Sequence, residues 1–177
     1  MLARVLSASV LGIDAYQVQV EVDLAMGASS FTTVGLPEGA VKESKDRVQA
    51  AIKNSGFSFP LRRITVNLAP ADVKKEGAGF DLPIAIGILA ARGDVRADDL
   101  TRFVMVGELS LDGLVRAVRG VLSIALECRR LTQSGVKGLI VPKPNAREAA
   151  IVEGLDVYPV QALADVVNFL NGRVAIE

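Results

Sequence analysis

The stretch of sequence best suited to chemistry is the loop over residues 70–81, between a buried strand and an apolar helix. Amide groups of a glycine-bearing loop and of a helix N-terminus converge at such a place, which favours the binding of anions. The loop's chemistry-bearing residues are Lys74, Lys75, Gly77, Gly79 and Asp81. A phosphate-binding loop and a solvated turn explain this composition equally well, so both interpretations stay open.

Basic residues are concentrated around that loop. Between residues 42 and 75 there are eight Lys or Arg and three Asp or Glu, so this segment carries 8 − 3 = +5 in a chain whose formal net charge is zero. Three of the lysines recur at helical spacing, which predicts that they share one helix face. A solvated face and a surface that binds DNA phosphates both account for them. The candidate DNA-binding residues are Lys42, Lys45, Lys53, Arg62, Arg63, Lys74 and Lys75.

The composition excludes several kinds of active site. The sequence has no histidine, which rules out His-based zinc sites and His-assisted nucleophiles. The single cysteine, Cys128, lies in an apolar helical pattern and is expected to be buried, and no intramolecular disulfide can form. No Gly-x-x-x-x-Gly-Lys-Ser/Thr loop and no cluster of metal ligands occurs, so we expect no cofactor or metal site in this chain. No apolar run reaches about 18 residues, and the N-terminus is unlike a signal peptide, so a cytoplasmic protein without membrane contact is expected.

The alternation of apolar and polar residues predicts an α/β fold. From residue 16 to 24 the alternation has a period of two, which indicates a strand with one wet face. With two neighbouring predicted strands it would form a β-meander over about residues 1–35. Further on, strand and helix patterns alternate, and Asp112-Gly113 indicates a hairpin. This order predicts a single domain over residues 1–177, an α+β two-layer sandwich with a mixed sheet.

Two long motifs carry a resemblance to a known family. They are GLPEGAVKES at residues 35–44 and NLAPADVKKEGAGFDLPIAIG at residues 67–87. On these motifs the chain resembles the N-terminal domain of the ComM/YifB family, bacterial magnesium chelatase-like AAA ATPases. The resemblance implies a hexameric homo-oligomer that drives DNA branch migration in natural transformation, with ATP and Mg²⁺ bound by an ATPase module that this sequence lacks. For this domain it implies DNA contact, subunit assembly, or both.

A more distant resemblance, from about residue 64 onward, links the chain to the proteolytic domain of the Lon proteases and to its ribosomal-protein-like fold. It rests on GELSLDG at residues 107–113 and on IVP at residues 140–142. Lon-type hydrolysis needs a serine and a nearby lysine that takes its proton. The resemblance places Asp81 at the serine position and Leu122 at the lysine position, which implies a catalytically silent domain. An active Ser-Lys hydrolase and a purely structural oligomerisation domain are the alternatives.

Asp81 also has a simple structural interpretation. Aspartate is favoured at the N-cap of a helix, and Pro83 is well tolerated in the first turn. Capping predicts that Asp81→Asn, which keeps an acceptor oxygen, is more stable than Asp81→Ala.

Overall fold

The structure is a computed structural model that describes residues 1–173 and 175–176. The strands of this part are β1 (Leu2–Leu11), β2 (Asp14–Ala25), β3 (Ser30–Val34), β4 (Arg63–Ala69), β5 (Phe103–Met105), β6 (Glu108–Leu109), β7 (Val115–Arg116), β8 (Gly138–Pro142) and β9 (Asp156–Val160). The α-helices are α1 (Gly39–Lys42), α2 (Ser44–Asn54), α3 (Asp81–Arg92), α4 (Val121–Leu131), α5 (Ala146–Ala149) and α6 (Leu163–Leu170). Short 3-10 helices begin at Leu100, Thr132 and Lys143.

Seven strands form one mixed sheet in the order β3-β4-β2-β1-β5-β8-β9. The pairs β1–β2 and β2–β4 are antiparallel, and the other four pairs are parallel. The predicted α/β sandwich with a mixed sheet is confirmed. α3 packs on β1 and β2 in the larger apolar core, and α4 packs on β1, β2 and β8 in a second apolar cluster. Helices therefore cover both faces of the sheet, and the sandwich has three layers where two were predicted.

The predicted N-terminal meander is only half right. β1 and β2 form an antiparallel hairpin over ten residue pairs, from Leu2↔Asp23 to Leu11↔Asp14. β3, however, does not pair with β2: β4 lies between them, antiparallel to β2 and parallel to β3. Alternate residues of β4 are buried in the core, whereas every residue of β3 is at least partly exposed. The more apolar strand therefore takes the central place, and β3 is left at the edge.

Helix α3 forms the centre of the larger core. Every residue from Asp81 to Ala91 is buried, which agrees with a helix that is apolar around its whole circumference. Gly87 permits its close approach to the sheet, because a Cβ atom there would lie 2.6 Å from a methyl group of Val22.

Two local expectations had different outcomes. The hairpin at Asp112-Gly113 is confirmed, since β6 and β7 pair around it and Gly113 has a φ of +88°. A side chain at Gly113 would collide with Ser55 at the end of α2, so a glycine is required on both counts. The single helix predicted to carry Lys42, Lys45 and Lys53 is instead divided at Glu43 into α1, which holds Lys42, and α2, which holds the other two.

Candidate functional site

Asp81, at the position that the Lon resemblance assigns to the nucleophile, is the first residue of α3 and is completely buried. Phe80 occupies the N-cap position, and no side chain caps this helix by a hydrogen bond. The interpretation of Asp81 as an N-cap is therefore wrong. The carboxylate instead binds groups of neighbouring elements, which compete with the free amides of the first helical turn.

Three residues donate hydrogen bonds to the Asp81 carboxylate. Arg47 donates from Nε to Oδ2 at 2.7 Å and from Nη2 to Oδ1 at 3.1 Å. The Ser44 hydroxyl donates to Oδ1, and the Leu109 amide donates to Oδ2 at 3.1 Å. We call Ser44, Arg47, Asp81 and the Leu109 amide the Asp81 network. It ties α2, α3 and β6 together at one point.

The electrostatics of the Asp81 network are those of a buried ion pair. Burial raises the pKa of Asp81, while the hydrogen bonds from Arg47, Ser44 and the Leu109 amide act to lower it. The hydrogen bond to Asp81 in turn raises the pKa of Arg47, whose side chain is 19% exposed. With both oxygens engaged by at least two donors each, the carboxylate has little capacity left to accept a substrate proton.

Leu122, at the position of the Lon lysine, is the second residue of α4. Its side chain is 39% exposed and has no titratable group, and its amide donates to the Glu148 carboxylate at 3.2 Å. A proton cannot be transferred from a nucleophile to this residue. The two dyad positions thus hold a fully bonded carboxylate and an aliphatic side chain.

Sequence reasoning missed the partners of Asp81. Ser44 and Arg47 lie one turn apart on α2, and this spacing was the only available signal. They are 37 and 34 residues from Asp81 in the sequence, and only the packing of α2 on α3 brings them to it. Arg47 contributes to the +5 charge of the basic segment, yet most of its side chain is inside the protein.

The candidate DNA-binding lysines of α1 and α2 lie at the surface. Lys42, Lys45 and Lys53 are all exposed. Within the described residues, none of the three forms an ion pair. Their charges are therefore available to a ligand.

The structure does not bring all the candidates together. Arg62 and Arg63 are exposed, but Arg63 alternates in β4 with Ile64, which points into the core beside α3. Arg63 therefore faces the side of the sheet opposite to α2 and α3. Lys74 is exposed, and its ammonium lies 3.8 Å from the carboxylate of Glu38.

For Lys75 the expectation of an exposed, phosphate-binding side chain is wrong. The residue is completely buried, and its ammonium donates to the carbonyl of Pro70. The cause is a backbone pairing: Lys75 N donates to Leu36 O at 3.0 Å, and Glu38 N donates to Lys75 O at 2.9 Å. This pairing turns the side chain inward, and burial lowers the pKa of Lys75.

A profile of the family described as "Subunit ChlI of Mg-chelatase" matches residues 20–145, well over half of the chain. The chain belongs to the ChlI family. Competence protein ComM of Haemophilus influenzae is 49% identical over 172 residues, 97% of this chain and 33% of that protein. The uncharacterized protein YifB of Escherichia coli is 45% identical over 167 residues, 94% of this chain and 32% of that protein.

The resemblance to ComM and YifB is thereby confirmed. This ChlI-family chain spans about a third of the length of the curated relatives that it matches. Lon protease 2 of Bacillus subtilis is 24% identical over 168 residues, 86% of this chain and 29% of that protein. The similarity to Lon thus covers more of the chain than the segment from residue 64 onward.

The residues of this ChlI-family chain do not fit the ATP and Mg²⁺ that the resemblance places in an ATPase module. In the described part of the chain, no three His, Cys, Asp or Glu side chains are placed to hold a metal ion. The sequence contains no Walker A loop to bind the phosphates of ATP.

Across residues 1–173 and 175–176, we find no helix with the length and hydropathy needed to cross a membrane. Burial raises the pKa of Cys128 to about 12, so its thiol stays protonated and unreactive.

Proposed function

We propose that this chain is a catalytically silent N-terminal domain of a ComM/YifB-like AAA protein, and that it contributes DNA contacts through the exposed lysines of α1 and α2. The proposal rests on the contrast between one buried carboxylate and three exposed lysines. Asp81, at the would-be catalytic position, is fully buried and fully bonded. Lys42, Lys45 and Lys53 are exposed and unpaired among the described residues.

The proposed lack of catalytic activity rests on the Asp81 network and Leu122. We expect no peptidase or esterase activity, and no covalent labelling of the chain by a fluorophosphonate reagent, because a carboxylate beside a leucine cannot form a serine-lysine dyad. Mass spectrometry after labelling gives the measurement. Labelling that a single serine-to-alanine substitution removes would contradict this part and would favour the hydrolase alternative.

The DNA part rests on the availability of the three lysines. Non-specific binding to DNA depends on Lys and Arg side chains that neutralise phosphates and release counterions from the DNA. The affinity therefore falls as the salt concentration rises. Glu43, between α1 and α2, and Asp46, on α2, reduce the local charge. One isolated domain is therefore expected to bind weakly, near the non-specific range of roughly 10⁻⁴–10⁻⁶ M at physiological salt.

Changing Lys42, Lys45 and Lys53 together to glutamate is expected to weaken DNA binding at least tenfold. It should also make the slope of log affinity against log salt shallower by about two to three, because up to three phosphate contacts are lost. Fluorescence anisotropy with a labelled duplex, repeated at several salt concentrations, gives both quantities.

The matched control changes the exposed residues Lys137, Lys143 and Arg147 to glutamate, which alters the net charge by the same amount on other elements. The control should bind DNA far better than the lysine variant. Equal affinities would show that only net charge matters and would contradict a DNA surface on α1 and α2. If the lysine variant instead loses self-association in sedimentation velocity while it still binds DNA, the surface is a subunit contact and the assembly alternative is correct.

For the whole protein we propose the activity that the resemblance implies, an ATP-driven hexameric motor on branched DNA during recombination. Support comes from the identity of 49% to Competence protein ComM over nearly the whole of this chain. ATP and Mg²⁺ belong, in this proposal, to a part of the protein outside these 177 residues. The role of this domain is then to add DNA contacts that ring assembly multiplies through effective concentration.

A further inference from the structure

A groove of about 450 Å³ lies between the end of β1 and the loop that precedes α3. Its volume is within the roughly 300–1,000 Å³ typical of ligand-binding pockets. The floor is apolar and is formed by Ala8, Phe80, Val106 and Ile124, each at most 4% exposed. Neither the Asp81 network nor the α2 lysines line this groove.

One side of the groove is an unpaired strand edge. β1 pairs with β2 along its whole length, but on its other side it pairs with β5 only at Leu6↔Val104. β5 ends at Met105, and the amide of Val106 donates to Ile140 of β8 at 3.2 Å. The backbone of residues 8–10 therefore borders the groove with no strand beside it. Such an edge offers N–H and C=O groups to another extended chain.

The opposite wall is a loop fixed at both ends. The hydroxyl of Tyr16 donates to the carbonyl of Lys74 at 3.0 Å, and the amide of Gly107 donates to the carbonyl of Gly79 at 3.0 Å. The segment 76–79 between these anchors lines the groove. A wall held in this way preserves the width of the groove, so a ligand need not order it on binding.

The charges of the groove favour a basic ligand. Glu76 is exposed, Glu108 is half-buried, and Arg119 is the only cationic residue in the lining. Among the described residues, none of the three forms an ion pair. Two carboxylates against one guanidinium leave a negative excess in the lining, while Arg116, opposite Glu108 in the β6–β7 pair, lies outside it. A negative excess repels nucleic acid and attracts Lys or Arg.

We propose that this groove binds an extended basic segment of a partner protein, which adds as a strand to the free edge of β1. The backbone of the segment pairs with residues 8–10. Its alternate side chains point in opposite directions, so apolar residues enter the floor while lysines or arginines reach Glu76 and Glu108. This binding is independent of DNA contact by α1 and α2.

The test uses a fluorescein-labelled octapeptide of alternating lysine and valine and the 177-residue chain. We expect saturable binding by anisotropy, with NMR amide shifts concentrated at residues 8–10 and 76–79. A peptide with glutamate in place of lysine should bind at least tenfold more weakly. A peptide N-methylated along one backbone edge should lose binding to a similar extent, since it cannot complete the ladder.

The variant that tests the charge is Glu76→Lys, with Glu153→Lys as the matched control at an exposed position between α5 and β9. Glu76→Lys should weaken binding of the lysine peptide about tenfold and improve binding of the glutamate peptide, whereas Glu153→Lys should change neither. The proposal is overturned if the lysine peptide does not bind or if both peptides bind equally. It is also overturned if N-methylation has no effect, or if the shifted amides lie outside the groove.

Discussion

Replacing Asp81 with alanine is expected to lower the free energy of unfolding by roughly 3–5 kcal/mol, because it leaves the mostly buried guanidinium of Arg47 with only a 3.7 Å contact to the exposed carboxylate of Glu43. The Ser44 hydroxyl and the Leu109 amide lose an acceptor at the same time. Urea unfolding monitored by circular dichroism gives the measurement. Asp46→Ala, at an exposed position on α2, is the control and should cost less than about 1 kcal/mol.

Two further variants separate the buried network from helix capping. Asp81→Asn is expected to lose most of the same stability, because an amide cannot neutralise Arg47 and its NH₂ group must face one of the donors. Capping would predict that the asparagine variant is well tolerated. In addition, Arg47→Met with Asp81→Leu should be more stable than Asp81→Leu alone, since no unpaired charge remains. A double variant as unstable as the sum of the two single ones would contradict the ion-pair account.

Lys75→Glu is expected to destabilise the chain by roughly 3–5 kcal/mol, whereas Lys74→Glu at the next position should cost less than about 1 kcal/mol. The substitution at Lys75 places a buried carboxylate against the carbonyl of Pro70. Lys74 is exposed, so the same change there stays in water and breaks only a long contact with Glu38. Thermal and urea unfolding of the two variants give the comparison. Equal stabilities would show that Lys75 is not held inside the protein.

The pH dependence of stability gives an independent check on Lys75. Burial lowers its pKa below 10.5 in the folded chain, so between the lowered pKa and 10.5 the unfolded chain binds a proton that the folded chain does not. The free energy of unfolding therefore rises with pH in that interval. Lys75→Met has no such group, so the wild type should gain stability relative to it as the pH rises toward 10.5. A constant difference would contradict burial of the charged side chain.

Much of the fold was predictable because each element carries its own periodic signal. The alternation over residues 16–24 is a property of neighbouring residues, and β2 forms there with one face in the core. The glycine of Asp112-Gly113 likewise specifies its turn by local conformation. The partner of β3 was not predictable in this way, because strand order depends on which strand buries more apolar surface and not on chain order.

The sequence by itself determined the family to which this chain belongs, and it excludes histidine-dependent sites and a Walker A loop within these residues. The absence of histidine, the absence of a Walker A loop and the identity of residues 81 and 122 are properties of composition and order. Tertiary structure alone decided what the charged residues do. Asp81 meets Arg47 only because α2 packs on α3, and Lys75 turns inward only because its backbone pairs with residues 36–38. The burial and the ion-pair partners of a charged residue cannot be predicted from its neighbours in the sequence, since they come from residues that are distant in the chain.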